Sequence, residues 1–538
     1  MLENFFDKIL EEGREIEKEV EERGEEAKFP PRPSWLLVVF VFLLALLPRL
    51  YTIFFLTDPQ NPGCNWYEDV YHRWQVGHFT WKIGIHEGFR LWDLKGMEYF
   101  WGIGHPLILA GISALTGLYD IVVSRVLTAV FGSLVVVFVF LISHRFWGIK
   151  IALAAALFGA LNQVGIFNDA SGMTEPLGLA PILLAIYLWP KKPFFSGILL
   201  GLSTFMRAEH WVFAAGIFLA MMVFEKDFDK RVALLSSFIP INILHMKYLL
   251  DKTSNPIYSV YWNFMANAVG KWMYAATLKP IQEQIKPVFV ALSIPPAMGI
   301  LWTFLQALRK KIKYYAFFFL GFGNWLFVTG MFGLTMYIKA YYGHLVWATR
   351  FFPLLYFFAA ILLIILLFET IGRIKFLSIF AWLAVFAAIL ASQLVWIPVL
   401  ARYESNKNDW EIAQDLAYQA RKYYEGGRVM VPEWRPSFTY AMVRFQGFEA
   451  KEIISGMYDP FFYMDDEDPF DNWGDHREDV LSWLKKEDIR LMLFHVLEGA
   501  YYTGMIEKEP EFFELREALG GGAFLIYKVK PDLIELEN

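Results

Sequence analysis

"FFSGILLGLSTFMRAEHWVFAAGIFLAMMVF", residues 194–224, is largely apolar and carries no ionisable side chain except Arg207, Glu209 and His210 near its middle. As a single crossing helix it would send the basic segments "EKDFDKR" (225–231) and "GRIK" (372–375) to the outer side of a membrane. Lys and Arg instead collect in cytoplasmic loops. Two short helices meeting at "RAEH" (207–210) return both segments to the inside. We therefore read a helical pair whose charged turn faces outward, and the rest of the topology follows from that choice.

The whole chain has the composition of a polytopic membrane protein. Its 538 residues are 56% hydrophobic and 18% aromatic, with a mean hydropathy of +0.36, too apolar for an ordinary soluble domain. The net charge of −6 is mild and the basic residues sit in small clusters, which excludes a nucleic-acid-binding face. Cys64 is the single cysteine, so an intramolecular disulfide is excluded, and no Cys/His spacing suggests a zinc site. Residues 1–33 are charged, with Phe5, Phe6, Ile9, Ile16 and Val20 near helical spacing, and predict a cytoplasmic amphipathic segment. The first apolar run begins only near Trp35, so no cleavable signal peptide is expected.

A membrane span takes about 20 apolar residues. Spans are expected at 34–56, 121–143, 151–167, 176–189, 194–206, 211–224, 232–250, 288–308, 314–334, 351–368 and 376–397, about eleven in all. With the N-terminus inside, "HRFWGIK" (144–150), "KKP" (191–193), "EKDFDKR", "RKKIK" (309–313) and "GRIK" all fall on the cytoplasmic side. The odd count puts residues 57–120, 168–175, 251–287 and 335–350, and everything after 398, outside. Within the first of these loops, "GHPLILAGISALTG" is too short to cross and reads as a helix at the outer surface. The expected organisation is thus a cytoplasmic segment 1–33, a transmembrane body 34–400 and an extracytoplasmic tail 401–538.

Spans four to six hold only 13 or 14 apolar residues, about 20 Å of helix against a hydrocarbon core of about 30 Å. Glu175, Arg207, Glu209 and His210 then lie below the outer boundary, where ionisable groups must line a wet cavity or pair with one another. Above them comes "NWYEDVYHRW" (65–74), with adjacent Glu68 and Asp69 among aromatic rings. A carboxylate so placed can act as general base on a substrate hydroxyl, or the loop can be an aromatic interfacial belt. Arg207 and Arg350, the latter in "ATRFFP", suit a phosphate, since guanidinium donates paired hydrogen bonds; Arg350 can equally be an interface anchor. Arg49 sits in span one, placed to neutralise a neighbouring acid. His72, His86 and His105 share a loop without metal-ligand spacing and read as satisfied loop histidines.

From Arg402 the composition becomes that of a small water-soluble α/β unit. "RVMVP", "RLMLFH" and "AFLIYKV" read as strands, with helices starting at Asn408 or Asp409 and near 476–487 and 510–519. "GGG" (520–522) is a turn rather than a phosphate loop. The acidic run "DDEDPFDNWGD" (465–475) reads as a solvated loop, because its spacing matches no calcium-binding pattern.

The order of "LLALLPRLYTI", "WYEDVYHRWQVGHF", "GHPLILAGISALTGLYDIVVSRVLTAVFGSL", "FNDASGMTEPLGLA", "SGILLGLSTFMRAEHWVF" and "ATRFFPLLYFFAAILL" resembles the C-type (GT-C) glycosyltransferases, which include protein O-mannosyltransferases, the aminoarabinose transferase of lipid A and oligosaccharyltransferase catalytic subunits. The resemblance covers spans one to seven best. It implies a mainly α, multi-pass enzyme of the cell membrane that inverts the sugar of a polyprenyl (dolichyl-type) phosphate donor onto an acceptor protein, lipid or glycan on the extracytoplasmic face. The catalytic acid falls on Glu68 when aligned on the mannosyltransferase "DE" pair and on Asp69 when aligned on the oligosaccharyltransferase "D…YH" pattern; Asp69 is preferred. The second acidic position falls on Asp169 or Glu175, the phosphate-binding Arg on Arg350 or Arg207, and Glu209, His210, Tyr71 and His72 complete the substrate pocket. No metal ligands are assigned and no cofactor is required, although a divalent cation, Mg or Mn, is compatible with the family. The oligosaccharyltransferase "WWDYG" acceptor motif is missing, which weighs against that branch. An oligosaccharyltransferase-like enzyme and a lipid or sugar transporter or flippase are the alternatives, the latter disfavoured because no two halves of the chain look alike.

Overall fold

The computed structural model describes residues 32–63, 68–94, 96–264, 352–374, 376–405, 407–431, 436–455, 473–495, 506 and 509–534. The amphipathic segment, the spans expected at 288–308 and 314–334, Arg350 and most of the acidic run 465–475 lie outside the described residues.

Helix α1 (Trp35–Tyr51) is capped by Ser34, whose hydroxyl accepts from the Leu37 N–H, and continues through a π-turn to Leu56. The connection to the next long helix carries α2 (Glu68–Phe79) and α3 (Gly104–Thr116). Then follow α4 (Ile121–Trp147), α5 (Ile149–Leu161), α6 (Gln163–Ser171), α7 (Glu175–Leu188), α8 (Pro193–Ser203), α9 (Ala208–Phe224), α10 (Phe228–Thr253) and α11 (Tyr258–Phe264). After the undescribed segment come α12 (Phe352–Thr370) and α13 (Ser378–Ser405).

Three described helices are long and apolar enough to cross a membrane: Trp35–Leu56, Ile121–Trp147 and Phe228–Thr253. A fourth crossing is formed if α5 and α6 count together, but they bend by 54°, where Asn162 ends one helix and its side chain caps the next at Val164 N–H, 3.1 Å away. The span expected at 151–167 is therefore broken rather than straight. The short helices at 176–189, 194–206 and 211–224 appear as α7, α8 and α9. The chain turns between the last two at residues 204–207, with Arg207 extended at φ −157°, ψ 158°.

The tail begins with α14 (Lys407–Tyr423), followed by β1 (Arg428–Val431), α15 (Pro436–Gln446), β2 (Ile453–Ser455), α16 (Trp473–Lys486), β3 (Ile489–His495), β4 (Phe513–Leu519) and β5 (Phe524–Val529). The sheet order is β2-β1-β3-β5-β4; β1 is parallel to β2 and β3, and β5 is antiparallel to β3 and β4. The helix expected at 510–519 is a strand instead. "FELREAL" is rich in helix formers, but a hairpin closed by Gly520–Gly522, all at positive φ (59°, 69° and 92°), pairs it along β5, and tertiary pairing overrides local propensity.

Strand side chains alternate between two faces. Met430 and Met492 pack with Val480, Leu484 and Ile489 into a core belonging to the tail alone. Val429, Val431, Leu491 and Leu493 point the other way, into a core that also contains Tyr71, Trp74 and Phe79 of α2. One face of the tail's sheet is thus completed by the connection between α1 and α4.

Candidate active site

A close approach of α6 positions the first turn of α2. Gly172 ends α6 at φ +97°, and a Cβ there would lie 2.7 Å from the Val70 side chain, so the α6 end and α2 touch as only glycine permits. The buried Arg125 of α4 ties this corner together, donating to Ala170 O (2.8 Å), Asp58 O (2.6 Å) and Thr57 Oγ1 (2.7 Å).

Glu68 and Asp69 begin α2 and diverge. Glu68 Oε1 accepts from Ser437 Oγ at 2.9 Å and Oε2 from the Ser437 N–H at 3.3 Å, so it faces the tail helix α15. Asp69 faces inward: its Oδ2 is 3.8 Å from Arg73 Nη2 one helical turn on, and its charge reaches Arg207. Arg73 is buried, with Nη1 3.7 Å from Met173 Sδ just after Gly172. Reading the sequence for pockets missed Arg73, although an acid and a base four residues apart on a helix are a recognisable pair.

Beside them lies a buried ionic cluster. Glu175 opens α7 and Glu209 lies in the first turn of α9, where the helix dipole favours carboxylates. Arg207, one residue before α9, bridges both: Nη1 is 2.9 Å from Glu175 Oε1, and Nε contacts Glu209. Asn168 Nδ2 donates to Glu175 at 3.5 Å. His210 packs on Gly178 of α7, where an added Cβ would stand 2.1 Å from its ring. Of the two fates open to ionisable groups at this depth, a wet cavity or mutual pairing, these side chains show pairing.

The remaining expected site residues separate. Asp169 binds Arg49 of α1, Nε to Oδ2 at 2.8 Å, and Arg49 also donates to Ala45 O at 2.7 Å, so Arg49 does neutralise a neighbouring acid. Glu175 remains within electrostatic reach of Asp169. Tyr71 points away from Asp69, stacked on Trp410 and donating its hydroxyl to Gln60 O at 3.0 Å. His72 hydrogen-bonds Asp93 at 3.1 Å, and His105 hydrogen-bonds Ser124 at 3.1 Å. These two histidines are engaged separately, and among the described residues no group of three or more His, Cys, Asp or Glu side chains could hold a metal ion.

Asp120, the N-cap of α4, was not anticipated as a contact. Burial alone would raise its carboxyl, but hydrogen bonds from the Val122 N–H, Gln60 and Arg444 outweigh that and hold it below the usual carboxylate range. The Arg444 contact, Nε to Oδ2 at 2.9 Å, comes from the tail.

The mostly helical body, with its broken and short helices around two buried ionic groups, shares its fold with solved structures of ArnT and of an archaeal oligosaccharyltransferase. The apo structure of ArnT from Cupriavidus metallidurans is similar, with a TM-score of 0.53 at 11% identity over 93% of this chain and 99% of that one. ArnT bound to undecaprenyl phosphate gives 0.50 at 12% identity over 92% and 98%. The archaeal oligosaccharyltransferase AglB from Archaeoglobus fulgidus, in complex with an inhibitory peptide and a dolichol-phosphate, gives 0.50 at 14% identity over 94% of this chain and 76% of its own. No protein-family model matches the sequence. No curated protein matches it either.

Proposed function

We propose that the protein is an inverting glycosyltransferase that moves a sugar from a polyprenyl phosphate to an acceptor at the extracytoplasmic face of the cell membrane. The observation that carries the reading is the inward placement of Asp69, beside Arg73 and within electrostatic reach of the Arg207 cluster, in a chain of GT-C fold. The Asp69 carboxylate takes the proton of the acceptor nucleophile as that atom attacks the anomeric carbon. The bond from that carbon to the donor's phosphate oxygen breaks on the opposite face, and the lipid phosphate leaves with the electron pair. A guanidinium stabilises the departing charge. Arg350 takes that role, because Arg207 is already committed to Glu175 and Glu209 and serves to hold the two carboxylates in register.

The donor class is supported by the undecaprenyl phosphate and dolichol-phosphate found with the two neighbours. The organisation follows the same reading, with a cytoplasmic segment 1–33, a membrane body 34–400 and an outer tail 401–538. Purified protein should move label from a polyprenyl-phosphate sugar to protein, lipid or glycan acceptors, and Asp69→Asn should slow the transfer at least about 100-fold. A normal rate in Asp69→Asn would overturn the assignment. Transfer that resists chelation assigns the phosphate to guanidinium alone; loss restored by Mg or Mn assigns it partly to a cation. Labelling of a cysteine placed in the tail by a membrane-impermeant reagent on intact cells tests the orientation.

A further inference from the structure

Asp69 is the second residue of α2, and the tail grips the connection that carries this helix at three places. At its start, Ser437 presents both its hydroxyl and its N–H to Glu68. Along its side, Ser455 at the end of β2 donates to Leu94 O, next to Asp93, whose carboxylate binds His72 and accepts from Gln75 at 2.6 Å. At the two ends of the connection, Tyr440 and Arg444 of α15 hold Gln60 and Asp120. Between these points Tyr440 packs against Trp74 (centroids 4.7 Å, perpendicular) and Tyr71 (5.4 Å).

We propose that Ser437 of the tail is a positioning residue for transfer: by fixing Glu68 it sets the first turn of α2, and so the direction of the Asp69 carboxylate. The proposal rests on Asp69 being the base. Successive residues of a helix are about 100° apart around its axis. A carboxylate held by two donors at one residue therefore fixes the azimuth of the next. The contact also places an anionic side chain at the N-terminus of α15, where the helix dipole favours it. Ser437 is fully buried and small, and the shared core around Tyr71, Trp410 and Tyr440 does not depend on its hydroxyl.

Ser437→Ala in the full-length protein is expected to lower kcat about 10- to 100-fold, the scale at which misplacement of a reacting group is felt. KM for a polyprenyl-phosphate sugar should stay within about twofold, because ground-state binding is untouched. Ser437→Thr, which keeps the hydroxyl, should recover most of the loss. Glu68→Ala should lose at least as much as Ser437→Ala, Glu68→Gln should lose less, and Glu68→Ala/Ser437→Ala should be no worse than Glu68→Ala alone, since both changes remove the Glu68–Ser437 contact. Normal turnover per folded molecule in Ser437→Ala, additive losses in the double variant, or a Glu68→Gln as inactive as Asp69→Asn would overturn the proposal. An active Asp69→Asn would instead remove the base reading on which it rests, so the two failures are told apart.

Discussion

Two buried ionic groups lie side by side in the helical body and differ in how they are closed. Arg49 and Asp169 form a one-to-one pair between α1 and α6, and the remaining guanidinium contact goes to the helix's own Ala45 carbonyl. Asp169 fits so closely against α4 that a Cβ on Gly132 would lie 2.0 Å from its Oδ2. The second group joins, among the described residues, Asp69, Arg73, Glu175, Arg207 and Glu209, three acids and two bases, across α2, α7 and the break before α9. A matched pair ties two helices. A set that gathers several carboxylates at a chain break can receive a proton. Under the proposed function, the first group has a structural task and the second a chemical one.

The largest effect that tests the contrast is on Asp69. Asp69→Asn keeps the shape of the side chain and removes its basicity, so turnover should fall about 10²- to 10⁴-fold, the usual worth of a general base. Transfer of labelled sugar by purified protein measures this. Unchanged folding in the same variant, read by thermal unfolding in detergent, would assign the loss to chemistry.

Next comes the bridge. Arg207→Ala leaves Glu175 and Glu209 buried without their counter-charge, and removing one partner from a buried ionic set costs about 3–5 kcal/mol. The variant should unfold at markedly lower temperature. Arg207→Lys keeps the charge without the planar fork that reaches two acids at once, and should fall between. Equal stability of all three proteins would mean that the bridge does not hold the break between α8 and α9.

The break itself was legible in the sequence, because the apolar runs on either side of Arg207 are too short to cross and charged residues stand between them. The strands at 428–431, 489–495 and 524–529 were legible too, since their residues alternate between two buried faces. What the sequence could not carry was partnership at a distance. Glu68 meets Ser437 across 369 positions, and Arg49 meets Asp169 across 120. Nothing local distinguishes Glu68 from Asp69; a tail helix that no pattern announced is what turns one of them outward. The same holds for 513–519, whose helix-forming residues take strand geometry only because β5 lies beside them.

A smaller effect reports on the support of α2 at its far end. The His78 ring stacks on Trp74 at 5.0 Å and meets Trp81 and Tyr119. Burial first, and then the charge of Lys82, lower its pKa from 6.5 to about 4. The folded protein thus keeps His78 neutral while the unfolded chain takes up a proton below about 6.5. Stability from this site is complete above pH 6.5 and is lost as pH falls toward 4. The thermal midpoint should decline through that window, and His78→Phe should flatten the decline. A profile that His78→Phe leaves unchanged would place the acid sensitivity elsewhere.

The smallest expected effect belongs to the double neutralisation of the closed pair, and it is the sharpest test of the contrast because Asp169 lies at a position where the family resemblance also puts an acid. Arg49→Met alone strands the Asp169 carboxylate among apolar neighbours and should destabilise the protein by about 3–5 kcal/mol. Adding Asp169→Asn removes the stranded charge at nearly constant volume, which the close Gly132 contact requires. A neutralised buried pair is often no less stable than the ionic one. The double variant should therefore recover stability and, on the proposal that the closed pair is structural, transfer sugar within about threefold of the parent. If it folds normally but its transfer falls as far as that of Asp69→Asn, then Asp169 acts on the reaction and the two clusters form one site, joined through Glu175.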